Sequence, residues 1–308
     1  MLWAISCYFN PAGYERRRLA FDAFRQALDI PLLVVEQSLN GLQEVSSSSA
    51  EIVLQASGGD AMWQKERLLN IALDALPSEC DQVAWLDCDI LFEDRNWFQS
   101  LETKLGEVPL VQLFRDVKYL DPGWEPGLVL EEHVERVRPS IVSGISSGLG
   151  VGEALEAPSP DQRPGTYANG MAWAANREFI EKYRFYDACI IGGGDRAITC
   201  AAYGCFDHIF EWHSMNEAQQ AYYLQWAIPF YQGCQGRTAC LDTDIYHQWH
   251  GKASDRGLLS RHEGLRPFDF DPFTDISIDM SGCWRWNSRK PDMHHYFSQY
   301  FNKRREDG

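Results

Sequence analysis

The feature that most constrains this chain is a series of short, almost wholly apolar runs separated by stretches of helical periodicity. Leu2–Phe9 is apolar nearly throughout, and 31–36, 52–55, 83–86 and 110–114 repeat the pattern at shorter length. Between the first two runs, Asn10, Pro11 and Gly13 break the strand. Leu19, Ala20, Ala23, Phe24, Ala27 and Leu28 then recur at helical spacing over 14–28. Asp60 stands as an N-cap before a helix over 61–75, which carries Leu68, Leu69, Ala72, Leu73 and Leu76 on one face. Strands of four to eight residues alternating with helices are βαβ units. They predict an α/β chain with a mostly parallel central sheet flanked by helices.

The pattern changes after residue 115. Six prolines, from Pro122 to Pro164, are interleaved with glycines, and 143–152 is rich in small residues. Such a stretch predicts an irregular, flexible insertion over 116–165 that covers a site. From 166 to 308 the chain is aromatic-rich and reads as α+β, with helices over 176–183, 195–203 and around 215–227, and a strand over 241–249. The expected organisation is one intimate unit in three segments, 1–115, 116–165 and 166–308.

Charge and cysteine usage narrow the function classes. Lys+Arg number 28 and Asp+Glu 44, a net charge of −16, which opposes a nucleic-acid partner because phosphate backbones need clustered cations. The two dense basic runs, Arg16-Arg17-Arg18 and Lys303-Arg304-Arg305, read as solvated surface. No stretch reaches the ~20 apolar residues of a transmembrane helix. The first apolar run lacks the basic flank and cleavage site of a signal peptide and reads as a core strand. Nine scattered cysteines without CxxC spacing fit reduced thiols and a cytoplasmic setting.

Four local patterns bear chemistry. Asp87 and Asp89 follow a buried strand directly, with Cys88 between them. Ligands of open α/β sheets bind beyond the carboxyl ends of strands, and paired acids there suit a divalent cation holding a diphosphate. Gly192-Gly193-Gly194 precedes Asp195 at a helix start, where the backbone can approach a ligand closely, or where Asp195 merely caps the helix. His247 and His250 flank Gln248-Trp249. On an extended strand this spacing sends the two imidazoles to opposite faces, so one ligates while the other packs. Lys65, in the run Trp63-Gln64-Lys65-Glu66-Arg67-Leu68-Leu69-Asn70, lies near a helix start and reaches a phosphate or a surface ion pair.

Taken in order, these blocks resemble one family. The run from Trp63 to Asn70 followed by Asp87-Cys88-Asp89 resembles the nucleotide-sugar half of GT-A glycosyltransferases. Tyr167-Ala168-Asn169-Gly170-Met171-Ala172-Trp173-Ala174, then Gly192-Gly193-Gly194-Asp195, is similar to the acceptor half of their β-1,4-galactosyltransferase and N-acetylgalactosaminyltransferase relatives. The segment around His250 looks like the late histidine that completes their metal site.

The resemblance implies a GT-A, Rossmann-like fold with a nucleotide-sugar half (1–115) and an acceptor-binding, catalytic half (166–308). It implies an inverting glycosyltransferase of capsule or other polysaccharide biosynthesis that uses Mn²⁺ or Mg²⁺, a nucleotide-diphosphate sugar (a UDP-sugar) and a glycan acceptor. Pro11, Glu36, Trp63, Lys65, Asn70, Asp87, Cys88 and Asp89 would line the donor pocket. Asp89 with His250 or His247 would hold the metal, and Asp195 would be the base. Gly192, Gly193, Gly194 and Trp284 would shape the acceptor pocket. The resembled turn often carries a Glu immediately before its base, where this chain has Gly194. Two other readings compete: a glycan-binding relative without chemistry, and a phosphatase of the haloacid-dehalogenase type, whose aspartate motif Leu86-Asp87-Cys88-Asp89-Ile90 superficially resembles.

Overall fold

A computed structural model describes residues 1–39, 41–156, 167–258 and 260–308. The strands, in chain order, are β1 (Leu2–Phe9), β2 (Leu32–Gln37), β3 (Ile52–Ala56), β4 (Gln82–Leu86), β5 (Ile90–Phe92), β6 (Leu110–Gln112), β7 (Asp116–Leu120), β8 (Val134–Pro139), β9 (Ala172–Asn176), β10 (Thr238–Cys240), β11 (Ile245–His247), β12 (Ile276–Ile278) and β13 (Trp284–Trp286). The helices are α1 (Glu15–Ala27), α2 (Lys65–Asp74), α3 (Leu101–Glu107), α4 (Ile141–Ser146), α5 (Val151–Leu155), α6 (Arg177–Tyr183), α7 (Gly194–Tyr203), α8 (Phe206–Trp212), α9 (Glu217–Cys234), α10 (Ser260–Leu265) and α11 (Pro291–Lys303).

The central sheet has seven strands in the order β10-β6-β9-β4-β1-β2-β3. It is parallel except for β9, which runs antiparallel between β4 and β6. The mostly parallel sheet flanked by helices is the architecture the apolar runs predict. Alternation along the strands divides the core into two layers. Trp3, Ile5, Leu33, Val35, Val83 and Trp85 pack beneath α2, α7 and α9, while Ala4, Tyr8, Leu32, Val34 and Ala84 face α1 and α3. In β2, Leu32 to Val35 are fully buried on both sides, each contributing roughly 1.5–3 kcal/mol through burial.

Several local expectations change. α2 begins at Lys65 with Gln64 as its cap, not at Asp60, whose carboxylate instead accepts from the Trp286 amide at 2.6 Å. The 116–156 part of the expected irregular segment holds β7, β8, α4 and α5, because its prolines fall at element boundaries. Its remainder, 157–165, lies outside the described residues. β7 and β8 join β5 and β11 in a second, four-stranded sheet, ordered β5-β11-β7-β8. This small sheet sits at the carboxyl end of β4 and fixes the site. No helix among the described residues is long and apolar enough to cross a membrane.

Candidate active site

A cleft of about 300 Å³ opens where β1 and β4 end. Its walls include Tyr8 and Phe9 from β1, Asp87, Cys88 and Asp89 after β4, Tyr167 to Met171 before β9, and the start of α7. This is the position at which open α/β sheets bind ligands.

Two distant segments meet there because β11 pairs antiparallel with β5, aligning His247 with Ile90, the residue after Asp89. The Gln248 amide then donates to the Asp89 carbonyl at 2.8 Å. β11 stops at His247, so the chain turns before His250 and both imidazoles reach the same carboxylate. His250 Nε2 lies 3.1 Å and His247 Nε2 3.8 Å from Asp89 Oδ2. The expectation of opposite faces fails for this reason. Ligand atoms of Asp89, His247 and His250 all lie within 4.8 Å of one another.

The electrostatics suit a cation. Burial pushes His247 down to about 3, against the pull of Asp89, so its imidazole is neutral and its lone pair available at neutral pH. Burial works to raise Asp89, but the neighbouring imidazoles and Arg256 hold it well below the usual carboxylate range. Asp89 Oδ1 is buried and has no hydrogen-bond partner among the described residues. A buried carboxylate oxygen left unpaired is costly, and a bound cation would satisfy it. Two imidazole nitrogens and a carboxylate oxygen fit a divalent transition ion. Glu306, fully buried, faces the outer nitrogen of His250 at 3.7 Å and is ion-paired with Arg17 and Arg304.

In the same cleft, Lys65 joins two acids. Its Nζ lies 2.6 Å from Asp87 Oδ1, and 2.9 and 3.1 Å from the two oxygens of Asp195. Burial favours the neutral amine, but Asp195 and Asp87 prevail and hold the Lys65 ammonium well above its usual range. Burial raises Asp87 to about 7 despite Lys65, with Asp195 and Asp89 adding to the rise. Asp195 lies in the first turn of α7, whose cap is Gly193 at φ 96°. At Gly170, an added Cβ would come within 2.4 Å of Asp195 Oδ2, so that loop must approach the carboxylate bare. The adjacent Met171, at φ 79°, is held in a conformation uncommon for a residue with a side chain. Its carbonyl accepts from the Asp87 amide at 2.7 Å.

Of the residues singled out in the sequence, Trp63, Lys65, Asp87, Cys88, Asp89, Gly193, Asp195, His247 and His250 line the cleft. Pro11, Glu36, Asn70, Gly192, Gly194 and Trp284 are not among its lining residues. Glu36 accepts from the amides of Glu44 and Val45 and from the Gln55 side chain, tying a loop to β2. Asn70 clamps the backbone of Phe185 in both directions at 3.0 and 2.9 Å. The Trp284 main chain brackets the Gln64 amide at 2.7 and 2.9 Å, which seats the start of α2 beneath Lys65.

Sequence reasoning misses Glu66, Tyr119, Arg138, Arg196, Arg256, Arg261 and Arg304, which also line the cleft. The basic runs are not simply solvated: Arg304 is buried, and the Arg17 side chain is 18% exposed on the cleft wall. Glu306, one residue beyond the second run, was the available signal, because an acid beside clustered arginines can neutralise them on burial.

The sequence matches no protein-family profile. No curated protein is similar to it in sequence. Solved structures give distant likenesses. A fragment of S. aureus TarS in complex with UDP is 10% identical at a TM-score of 0.40, over 85% of this chain and 65% of that one. The catalytic domain of Drosophila β1,4-galactosyltransferase 7, in complex with xylobiose, is 12% identical at a TM-score of 0.33, over 64% of this chain and 58% of that one. The chain thus spans less than two thirds of either. A mycobacterial protein is 14% identical at a TM-score of 0.39, over 94% of this chain and 83% of its own. What the cleft can do follows from the residues of this chain.

Proposed function

We propose that the chain is a metal-dependent, inverting glycosyltransferase that moves a sugar from a UDP-sugar to a hydroxyl of a glycan acceptor. The observation that carries this reading is the convergence of Asp89, His247 and His250 in a cleft that Asp195 also lines. Asp89, His247 and His250 would hold the cation. Their imidazole-rich donor set favours Mn²⁺ over Mg²⁺, which prefers oxygen ligands and keeps its waters. When bound, the cation stabilises the charge that develops on the departing diphosphate.

The remaining roles belong to the protein. Lys65 bonds both oxygens of Asp195 and so fixes the orientation of that carboxylate. Asp195 accepts the proton of the acceptor hydroxyl as its oxygen attacks the anomeric carbon, a contribution typically of about 10²–10⁴-fold. One base and direct attack by the acceptor give inversion. Arg256, half-buried beside Asp89 and with a buried Nε that has no hydrogen-bond partner among the described residues, supplies a guanidinium for phosphate oxygens. Trp63, edge-on to Phe9 at 5.1 Å, gives an aromatic surface at the end of β1.

The test is transfer from a panel of nucleotide sugars to simple glycosides with and without Mn²⁺, with the anomeric configuration of the product read by NMR. Manganese-dependent formation of an inverted glycoside is the expected result. Hydrolysis of simple phosphoesters in place of transfer would refute the reading.

A further inference from the structure

Four acids line the cleft among the described residues, and three have partners: Lys65 engages Asp87 and Asp195, and the two histidines face Asp89. Glu66 is the fourth. It sits in the first turn of α2, only 2% exposed, and no side chain of the described residues donates a hydrogen bond to its carboxyl.

Its carboxyl occupies the space a side chain at position 194 would need. A Cβ added to Gly194 would fall 2.0 Å from Glu66 Oε1 and 2.2 Å from its Cδ. Gly193 needs glycine for its left-handed backbone, but Gly194 has no positive φ. Glycine at 194 is therefore explained by space: the start of α7 is left bare so that Glu66 reaches the cleft beside Asp195. Burial, reinforced by Asp195 and Asp87, raises Glu66 to about 8 despite Lys65. At neutral pH it is a carboxylic acid, offering one O–H donor and a carbonyl acceptor. A neutral acid next to the base of a transferase has the right valences for a sugar hydroxyl, which also donates and accepts.

We propose that Glu66 recognises the acceptor, hydrogen-bonding a hydroxyl vicinal to the one that Asp195 deprotonates, so that the acceptor is a pyranoside with neighbouring free hydroxyls. This rests on the transferase reading above. Glu66 acts from α2, whereas the acceptor turn is on α7, and Gly194 is its steric counterpart.

The test uses the full chain loaded with UDP and Mn²⁺. Methyl xyloside, glucoside and galactoside, and their monodeoxy analogues, are titrated by saturation-transfer NMR. The wild type binds at least one parent glycoside, and one deoxy analogue loses roughly 10-fold, the scale of one missing hydrogen bond to a buried partner. Glu66→Ala removes that discrimination. Gly194→Ala, which drives a methyl group into the carboxyl, does the same. Glu66→Asp withdraws the group and loses binding, whereas Glu66→Gln keeps the shape with a donor and an acceptor and retains it. UDP affinity, measured by calorimetry on each variant, verifies that the cleft is folded. Should Glu66→Ala or Gly194→Ala fail to fold, the contrast between Asp and Gln at 66 decides. Equal glycoside binding by wild type, Glu66→Ala and Glu66→Asp would overturn the assignment, as would no binding of any parent glycoside by the UDP-loaded wild type. Failure of the wild type to bind UDP with Mn²⁺ would instead strike the transferase reading itself.

Discussion

Lys65 and Asp195 are 130 positions apart, and the ammonium of one lies 2.9 and 3.1 Å from the two carboxylate oxygens of the other. The same ammonium holds Asp87 at 2.6 Å, so one buried cation links the acid after β4 to the acid that opens α7. Replacing Lys65 with Gln leaves two neighbouring acids, Asp87 and Asp195, without their shared cation. Breaking a buried pair by removing one partner typically costs about 3–5 kcal/mol. Lys65→Gln should therefore lower stability in urea titrations, and transfer should fall with it. An unchanged denaturation midpoint would show that the two acids do not depend on Lys65.

Asp195→Asn keeps the shape and the contact with Lys65 but removes the proton acceptor. Transfer should drop by about 10²-fold or more, the scale of general-base catalysis. UDP affinity should stay within a few-fold of wild type. Steady-state transfer and calorimetry on the same preparation separate the two effects, and normal turnover would remove Asp195 from the base role.

Glu306 lies behind His250 and between Arg17 and Arg304. Glu306→Gln strands two guanidinium groups and loosens the outer face of an imidazole proposed to hold the metal. Groups that orient metal ligands typically change metal affinity by 10–100-fold on mutation. Mn²⁺ affinity should weaken by at least 10-fold in a paramagnetic-relaxation titration, alongside a loss of thermal stability. Retained Mn²⁺ affinity would confine Glu306 to a structural role.

Glu66 gives stability a pH dependence whose sign is fixed. Its carboxyl holds a proton up to about pH 8 in the folded chain, against an ordinary value of 4.5. Between those values the unfolded chain binds fewer protons, so this group's contribution to stability falls as pH rises through the window. Glu66→Gln, neutral throughout, removes that dependence. Its Tm relative to wild type should rise between pH 5 and 8, and a constant difference across that range would contradict the protonated state.

Much of the frame was legible in the sequence because burial on both faces of a parallel sheet leaves continuous apolar runs, as in Leu32 to Val35. β9 was not, since Ala172 to Asn176 is short, alanine-rich and embedded in a stretch legible mainly by its motif. The proposed metal set was half legible. Asp89 followed a buried strand, but the convergence of His247 and His250 depends on where β11 stops, which spacing does not state. Glu36 and Asn70 were misleading for a common reason. A polar residue at a strand or helix position signals a satisfied hydrogen bond as readily as a ligand, and both serve neighbouring main chain. Glu66 left no pattern at all, because its meaning comes from the bare start of α7, more than a hundred residues away.

The central claim is that Asp89, His247 and His250 form one cation site that serves a nucleotide diphosphate. Isothermal titration of UDP into wild type and Asp89→Ala, each with Mn²⁺ and with excess EDTA, tests it most directly. The account predicts tight UDP binding by the wild type with Mn²⁺, a loss of at least 10-fold in EDTA, and a comparable loss for Asp89→Ala in either buffer. UDP binding of equal strength in all four titrations would contradict it.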